Sequence, residues 1–259
     1  MSNIRKAFQN GKAFIGFLTG CDPNFEASLK NILALVRGGA DLIEIGIPFS
    51  DPVAEGPVIQ AANVRALASG ITTGRLFELA ERVREETDVP LVFLTYLNPV
   101  FKYGYDRFFA RCAKAGVDGV IIPDLPYEEK GEVEPHAGKY GVDIISLVAP
   151  TSHARVREIA ASARGFLYLV SSMGVTGVRN EIRADLKSIV DEVRMVSNVP
   201  VAVGFGVSTP EQAKEIAQAA DGVIVGSALV RLAAEYGENA PQAIEEYVRQ
   251  MKRAVALTQ

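Results

Sequence analysis

Val201-Ala202-Val203-Gly204-Phe205-Gly206-Val207-Ser208-Thr209-Pro210-Glu211-Gln212 holds a complete structural unit in one short stretch. Val201–Val203 is a β-rich run, and the glycines that follow let the chain turn sharply. Thr209-Pro210-Glu211-Gln212 then supplies an N-cap, a proline at the first helical position and a capping-box glutamine. A strand followed by a tight loop and a helix start is one βα unit.

The same order recurs on both sides of this stretch. β-rich runs occur at Phe14–Leu18, Leu42–Ile45, Leu91–Thr95, Gly119–Ile122, Asp143–Val148, Phe166–Val170 and Gly222–Val225, making eight with Val201–Val203. Between them apolar residues step by three and four, as in Leu29, Ile32, Leu33, Val36 and again in Leu76, Leu79, Ala80, Val83, the spacing of amphipathic helices. Gly38-Gly39-Ala40-Asp41-Leu42, Ala115-Gly116-Val117-Asp118-Gly119 and Ala219-Ala220-Asp221-Gly222-Val223 each read as a helix stop followed by a strand, a weak internal repeat. Eight such units predict a (β/α)8 TIM barrel with additional helices, one domain over residues 1–259. The count alone leaves an open doubly wound sheet as the alternative. Gly46–Gly70 and Ser171–Asp185 are longer than a simple connection needs, and loops of that length usually carry function.

Composition narrows the class. Of 259 residues 48% are apolar and 22% charged, enough hydrophobic surface to fold without disulfides or metals. The start, Met1-Ser2-Asn3-Ile4-Arg5-Lys6, lacks the apolar stretch of a signal peptide, and no run of about 18 apolar residues occurs. Cys21 and Cys112 stand far apart, outside any Cys-x-x-Cys spacing, as expected of a reducing compartment. A net charge of −4 without a basic run offers no footprint for nucleic acid or an anionic membrane. A cytoplasmic protein acting on small molecules or other proteins is expected.

Three glycine-rich loops follow late strands: Gly174-Val175-Thr176-Gly177, Gly204-Phe205-Gly206-Val207-Ser208 and Gly226-Ser227-Ala228. In barrels, phosphate sites are commonly built after the seventh and eighth strands, from exposed backbone N–H groups and a helix N-terminus. Each loop alone could equally be a simple chain reversal; three in these places predict one phosphate cradle. The chain lacks a G-x-G-x-x-G fingerprint with its downstream acid and a Walker-type lysine loop, which disfavours dinucleotides and ATP.

Glu44 stands where a strand should be apolar. In Leu42-Ile43-Glu44-Ile45-Gly46-Ile47 the three isoleucines share one face by two-residue alternation and Glu44 takes the other. With the isoleucines packed on helices, Glu44 points into the barrel, where an unpaired carboxylate takes a raised pKa suited to carrying a proton near neutral pH. The competing reading is a glutamate satisfied by backbone donors or a cation. Glu55, eleven residues on, reads by itself as an exposed loop residue that closure could bring over the mouth. No lysine ends a strand, which argues against Schiff-base chemistry. The two histidines, His136 and His153, fall on helices or their caps, so a histidine-ligated metal is not expected. Tyr96 and Tyr168, near strand ends, suit core packing as well as ligand contact.

From about Phe14 to Leu232 the chain resembles the tryptophan synthase alpha-subunit family. The resemblance rests on Ile43-Glu44-Ile45-Gly46-Ile47-Pro48-Phe49-Ser50-Asp51-Pro52, then Gly56-Pro57-Val58-Ile59-Gln60, and on Gly174-Val175-Thr176-Gly177 and Gly204-Phe205-Gly206. The first block is highly specific, whereas the glycine motifs are shared with other phosphate-binding barrels. The resemblance implies retro-aldol cleavage of indole-3-glycerol phosphate to indole and glyceraldehyde 3-phosphate, without a cofactor in this subunit. Glu44 matches the catalytic glutamate. Glu55, in Ala54-Glu55-Gly56-Pro57, occupies the place of an aspartate that stabilises positive charge at the indole nitrogen. That departure keeps the charge and adds a methylene. The same resemblance implies substrate contacts at Phe17, Tyr96, Tyr168, Thr176, Gly177, Phe205, Gly206, Gly226 and Ser227. It further implies a pyridoxal-phosphate beta subunit that receives indole, an alpha2beta2 tetramer, and an interface near Asp51 and Asn98. Two other readings are a different phosphate-binding barrel, such as a sugar-phosphate isomerase, and a regulatory subunit whose own chemistry Glu55 impairs.

Overall fold

The computed structural model describes residues 2–150, 153–170, 179–204 and 206–258, with backbone alone for 179–185. Eight parallel strands close into a barrel in sequence order: β1 Ala13–Thr19, β2 Leu42–Gly46, β3 Leu91–Leu94, β4 Gly119–Ile121, β5 Asp143–Val148, β6 Leu167–Val170, β7 Val201–Gly204 and β8 Gly222–Val225. Closure is completed by β1 pairing with β8, Ile15 opposite Ile224, which settles the barrel over the open sheet. Each expected strand is present, with ends displaced by a residue or so.

Both faces of every strand are covered, so two-residue alternation sorts side chains between two apolar layers. Ile15, Leu42, Val92, Ile121, Ile145, Phe166 and Ile224 fill the barrel interior. Phe14, Ile43, Ile45, Ile47, Phe93, Leu169 and Val203 pack outward against the helices. The lower end is plugged by the 3-10 helix Ile4–Phe8, whose Ile4 is fully buried with the inner layer. Nothing in the sequence pattern marks these first residues as a plug.

The helix Pro210–Ala217 begins as its sequence dictates. Thr209 accepts from the Gln212 backbone at 3.3 Å, and the Gln212 side chain accepts from Thr209 N–H at 3.1 Å. The recurring aspartate of the helix-stop junctions also has a physical cause. Asp41, Asp118 and Asp221 accept the backbone N–H groups of Phe14, Leu91 and Val201 at 2.7, 3.0 and 3.0 Å. Each carboxylate thus ties the start of one strand to the junction before the next, and each also meets a cation: Lys252, Arg84 and Arg194 respectively.

The two long segments are corrected by the structure. Residues 57–68 of the Gly46–Gly70 segment form the helix Pro57–Ala68, with Gly56 as N-cap and proline in its first turn, so the irregular part is 47–56. Residues 179–185 of the second segment are helical, at the start of Arg179–Val196. Among the described residues no helix is long and apolar enough to cross a membrane.

Candidate active site

A cavity of about 620 Å³ opens at the C-terminal end of the barrel, walled by the loops that leave the strands. Its floor and sides include Phe17, Glu44, Leu94, Leu147, Tyr168 and Ile224, and its rim Glu55, Gly56, Gly206, Gly226, Ser227 and Arg231. The mouth of a barrel is where strand ends from across the sheet converge, so side chains distant in sequence meet there.

Glu44 projects inward from β2, opposite Phe17 of β1 and Val92 of β3 in the register. It is 1% exposed, and among the described residues its Oε2 has no hydrogen-bond partner. Burial without a compensating charge raises its carboxyl pKa from 4.5 to about 8. The group therefore holds a proton near neutral pH and can exchange it with whatever fills the cavity. Tyr168 of β6 lies close enough that the Glu44 charge, after burial, helps keep its phenol well above the ordinary tyrosine range. Two close approaches fix the aromatic walls. A Cβ on Gly204 would meet the Tyr168 hydroxyl at 2.3 Å, and one on Gly46 would meet the Phe17 ring at 2.8 Å. Neither position can carry a side chain while those rings stand where they do.

Glu55 stands on the loop before the helix Pro57–Ala68, half-buried and lining the same cavity as Glu44. Its carboxylate accepts from Asn63 Nδ2 at 2.6 Å. Burial raises its pKa, and the Asn63 hydrogen bond works against that rise. The exposed reading of Glu55 is thus replaced by a half-buried loop position in the cavity wall.

The part of the rim that follows β7 and β8 is suited to an anion. Gly206, with φ of +78°, adopts a left-handed conformation that favours glycine, directly after β7. Gly226 is the N-cap of the helix Ser227–Tyr236, whose first-turn N–H groups and dipole face the cavity mouth beside it. Arg231 lies one turn into that helix, on the same side as Ser227. It lines the cavity, and sequence reading missed it. Its spacing of four from Ser227 was the available signal.

Phe17, Tyr168, Gly206, Gly226 and Ser227 of the expected contacts line the cavity together with both glutamates. Thr176, Gly177 and Phe205 lie outside the described residues, as does the Gly174–Gly177 loop. Tyr96 does not line the cavity. It is 1% exposed, packs on Phe49 with ring centroids 5.2 Å apart, and accepts the Ala54 N–H at 3.1 Å. Its task in the structure is to hold the loop that carries Glu55. The same contacts place Asp51 and Asn98, both exposed, on adjoining segments. His136 and His153 sit on helices with side chains 41% and 55% exposed, as expected.

Residues 3–256 match the family model for the tryptophan synthase alpha chain. The chain belongs to that family. The alpha chain of Lacticaseibacillus casei is 56% identical over 255 residues, covering 98% of this chain and 96% of that one. That of Lactiplantibacillus plantarum is 51% identical over 256 residues, covering 98% and 97%. A crystal structure of the Legionella pneumophila alpha chain superimposes with a TM-score of 0.88 at 37% identity, covering 99% and 98%. Tryptophan synthase alpha chains are lyases of tryptophan biosynthesis that cleave indole-3-glycerol phosphate and pass the indole to a beta subunit, and this chain is an enzyme of that kind.

Proposed function

We propose that Glu44 and Glu55 divide the retro-aldol cleavage of indole-3-glycerol phosphate between them. Glu44 delivers a proton to indole C3 and takes the proton of the glycerol hydroxyl as the carbon–carbon bond breaks. Protonation makes C3 tetrahedral and leaves positive charge at the indole nitrogen, which the Glu55 carboxylate stabilises. The ring lies between Phe17, Tyr168 and the apolar wall, and the phosphate lies against Gly206, Gly226 and the Ser227 helix start, with Thr176, Gly177 and Phe205 completing the contacts. The observation that carries this reading is the pairing, in one cavity, of a buried glutamate whose Oε2 has no partner among the described residues with a helix N-terminus able to hold a phosphate.

Proton transfer and charge stabilisation by side chains suffice for this reaction, so the subunit works without a cofactor, and pyridoxal phosphate belongs to the beta partner. Asp51 and Asn98 lie in the surface that receives that partner in an alpha2beta2 tetramer in the cytoplasm. Exposed apolar side chains on the same two segments, Val53 at 78% and Phe101 at 66% exposure, support this surface. The direct test is steady-state indole formation from indole-3-glycerol phosphate with and without an added beta subunit. Release of indole by the chain alone, accelerated by the beta subunit, is the expected result. Turnover of a sugar phosphate lacking the indole ring, with no indole release, would defeat the proposal. Partner activation with negligible indole release would assign the chain a regulatory role instead.

A further inference from the structure

The methylene by which Glu55 exceeds an aspartate moves its carboxylate outward by about 1.5 Å, one carbon–carbon bond. At that position it meets Asn63, on the second turn of the helix Pro57–Ala68, with Nδ2 at 2.6 Å from Oε2. Asn63 is 3% exposed, so its amide is fixed by packing before it meets the carboxylate. A carboxylate only accepts, which sets the amide nitrogen toward it. The backbone around Glu55 is held separately. The Glu55 carbonyl accepts from Gln60 Nε2 at 2.7 Å, and Ala54 N–H donates to Tyr96 at 3.1 Å. Among the described residues, Asn63 is therefore the side chain that sets the direction of the carboxylate itself.

We propose that Asn63 is a positioning residue for the lyase reaction, holding Glu55 at the cavity wall and fitting the site to a glutamate rather than an aspartate. This rests on the reading of Glu55 given above. Two consequences follow from the geometry. Loss of the amide lets the carboxylate swing away, and a displacement of about 1 Å costs on the order of 10²-fold in rate. Loss of the amide also removes the donor that, among the described residues, opposes the burial-driven rise in the Glu55 pKa, so the carboxylate stays protonated to higher pH.

The test is a double-mutant cycle on the full chain, read as kcat, KM and the pH dependence of kcat with indole-3-glycerol phosphate. Asn63→Ala is expected to lower kcat about 10- to 100-fold with KM within about twofold, and to move the acid limb of the profile to higher pH. In a Glu55→Asp background, where the contact is already out of reach, the same change costs less than about threefold. Moving the methylene across the pair, in Glu55→Asp with Asn63→Gln, recovers most of the rate that Glu55→Asp loses. Equal losses in both backgrounds mark Asn63 as merely structural and overturn the proposal, as does an unchanged kcat. Asn63→Asp keeps the side-chain shape should alanine unfold the helix. It sets two carboxylates together and raises the acid limb if the contact matters, whereas an unchanged profile refutes it. A Glu55→Gln variant with parental turnover removes the role of Glu55 and the proposal with it. A slow Glu55→Gln beside an unaffected Asn63→Ala removes the proposal alone.

Discussion

The two ends of the barrel treat carboxylates in opposite ways. At the N-terminal end Asp41, Asp118 and Asp221 each accept a strand N–H and each meet a lysine or arginine. At the C-terminal end Glu44 has an oxygen without a partner among the described residues, and Glu55 has one amide donor from a side chain. The side-chain chemistry is the same, and the surroundings decide its use. Surrounding a carboxylate with backbone donors and a cation ties the strands together, whereas burying Glu44 without a cation leaves a group whose proton is movable. Stability and catalysis are thus placed at opposite ends of one set of strands.

Glu44→Gln tests this contrast most severely. Turnover should fall by about 10² to 10⁴-fold, the range lost with a general acid–base, while the fold persists. Stability should move the other way. The folded-state pKa is raised from 4.5 to about 8, so the folded protein holds a proton that the unfolded chain releases across that window. The parent therefore loses stability as pH rises through it, by an order of a few kcal/mol at about 1.4 kcal/mol per pH unit. Denaturant unfolding should show Glu44→Gln matching the parent near pH 4.5 and exceeding it above pH 8. A variant less stable than the parent at alkaline pH would sink the account of Glu44 as an uncompensated group.

Asp118→Ala is the mirror image. Asp118 is 7% exposed and accepts from Asn3 N–H and Leu91 N–H as well as from Arg84. Its removal should cost about 3 kcal/mol and lower Tm by roughly 10 °C, with kcat near parental at 25 °C. A large loss of kcat without a change in Tm would break the division between the two ends.

Glu55→Gln should reduce kcat on the order of 10²-fold because the neutral amide no longer offsets positive charge, while Glu55→Asp costs less because the charge survives. Equal small effects would mark Glu55 as a bystander. The smallest effect is expected from Arg231→Ala. Loss of one cation at the phosphate end should raise KM for indole-3-glycerol phosphate about 3- to 10-fold with kcat little changed. An unaltered KM would place the guanidinium outside the phosphate's reach.

Much of this site was readable in advance, for reasons that particular residues make plain. Glu44 stood out because period-two alternation with Ile43, Ile45 and Ile47 left it no outward position. Gly206, Gly226 and Ser227 stood out because glycines after late strands and before a helix form an anion site by local geometry alone. Glu55 read as a loop residue because its surroundings come from a helix that the pattern did not reveal: Pro57–Ala68 has no distinct apolar stripe, burying only Ala62, Asn63 and Ala66. The place of Tyr96 near a strand end suits core packing as well as ligand contact, and the structure sets its ring on Phe49 and its hydroxyl on the Ala54 N–H.

The sequence by itself determined the alternation of strands and helices, the inward direction of Glu44 and the helix starts at Thr209 and Gly226. All of these follow from periodicities and capping rules that act within a few residues. Only the tertiary structure decided that Ile4 plugs the barrel, that Asp118 joins Leu91 to Arg84, that Asn63 meets Glu55 and that Arg231 reaches the cavity. Those contacts depend on where closure of the eight strands brings separate elements, and closure is a property of the whole sheet that no local window contains.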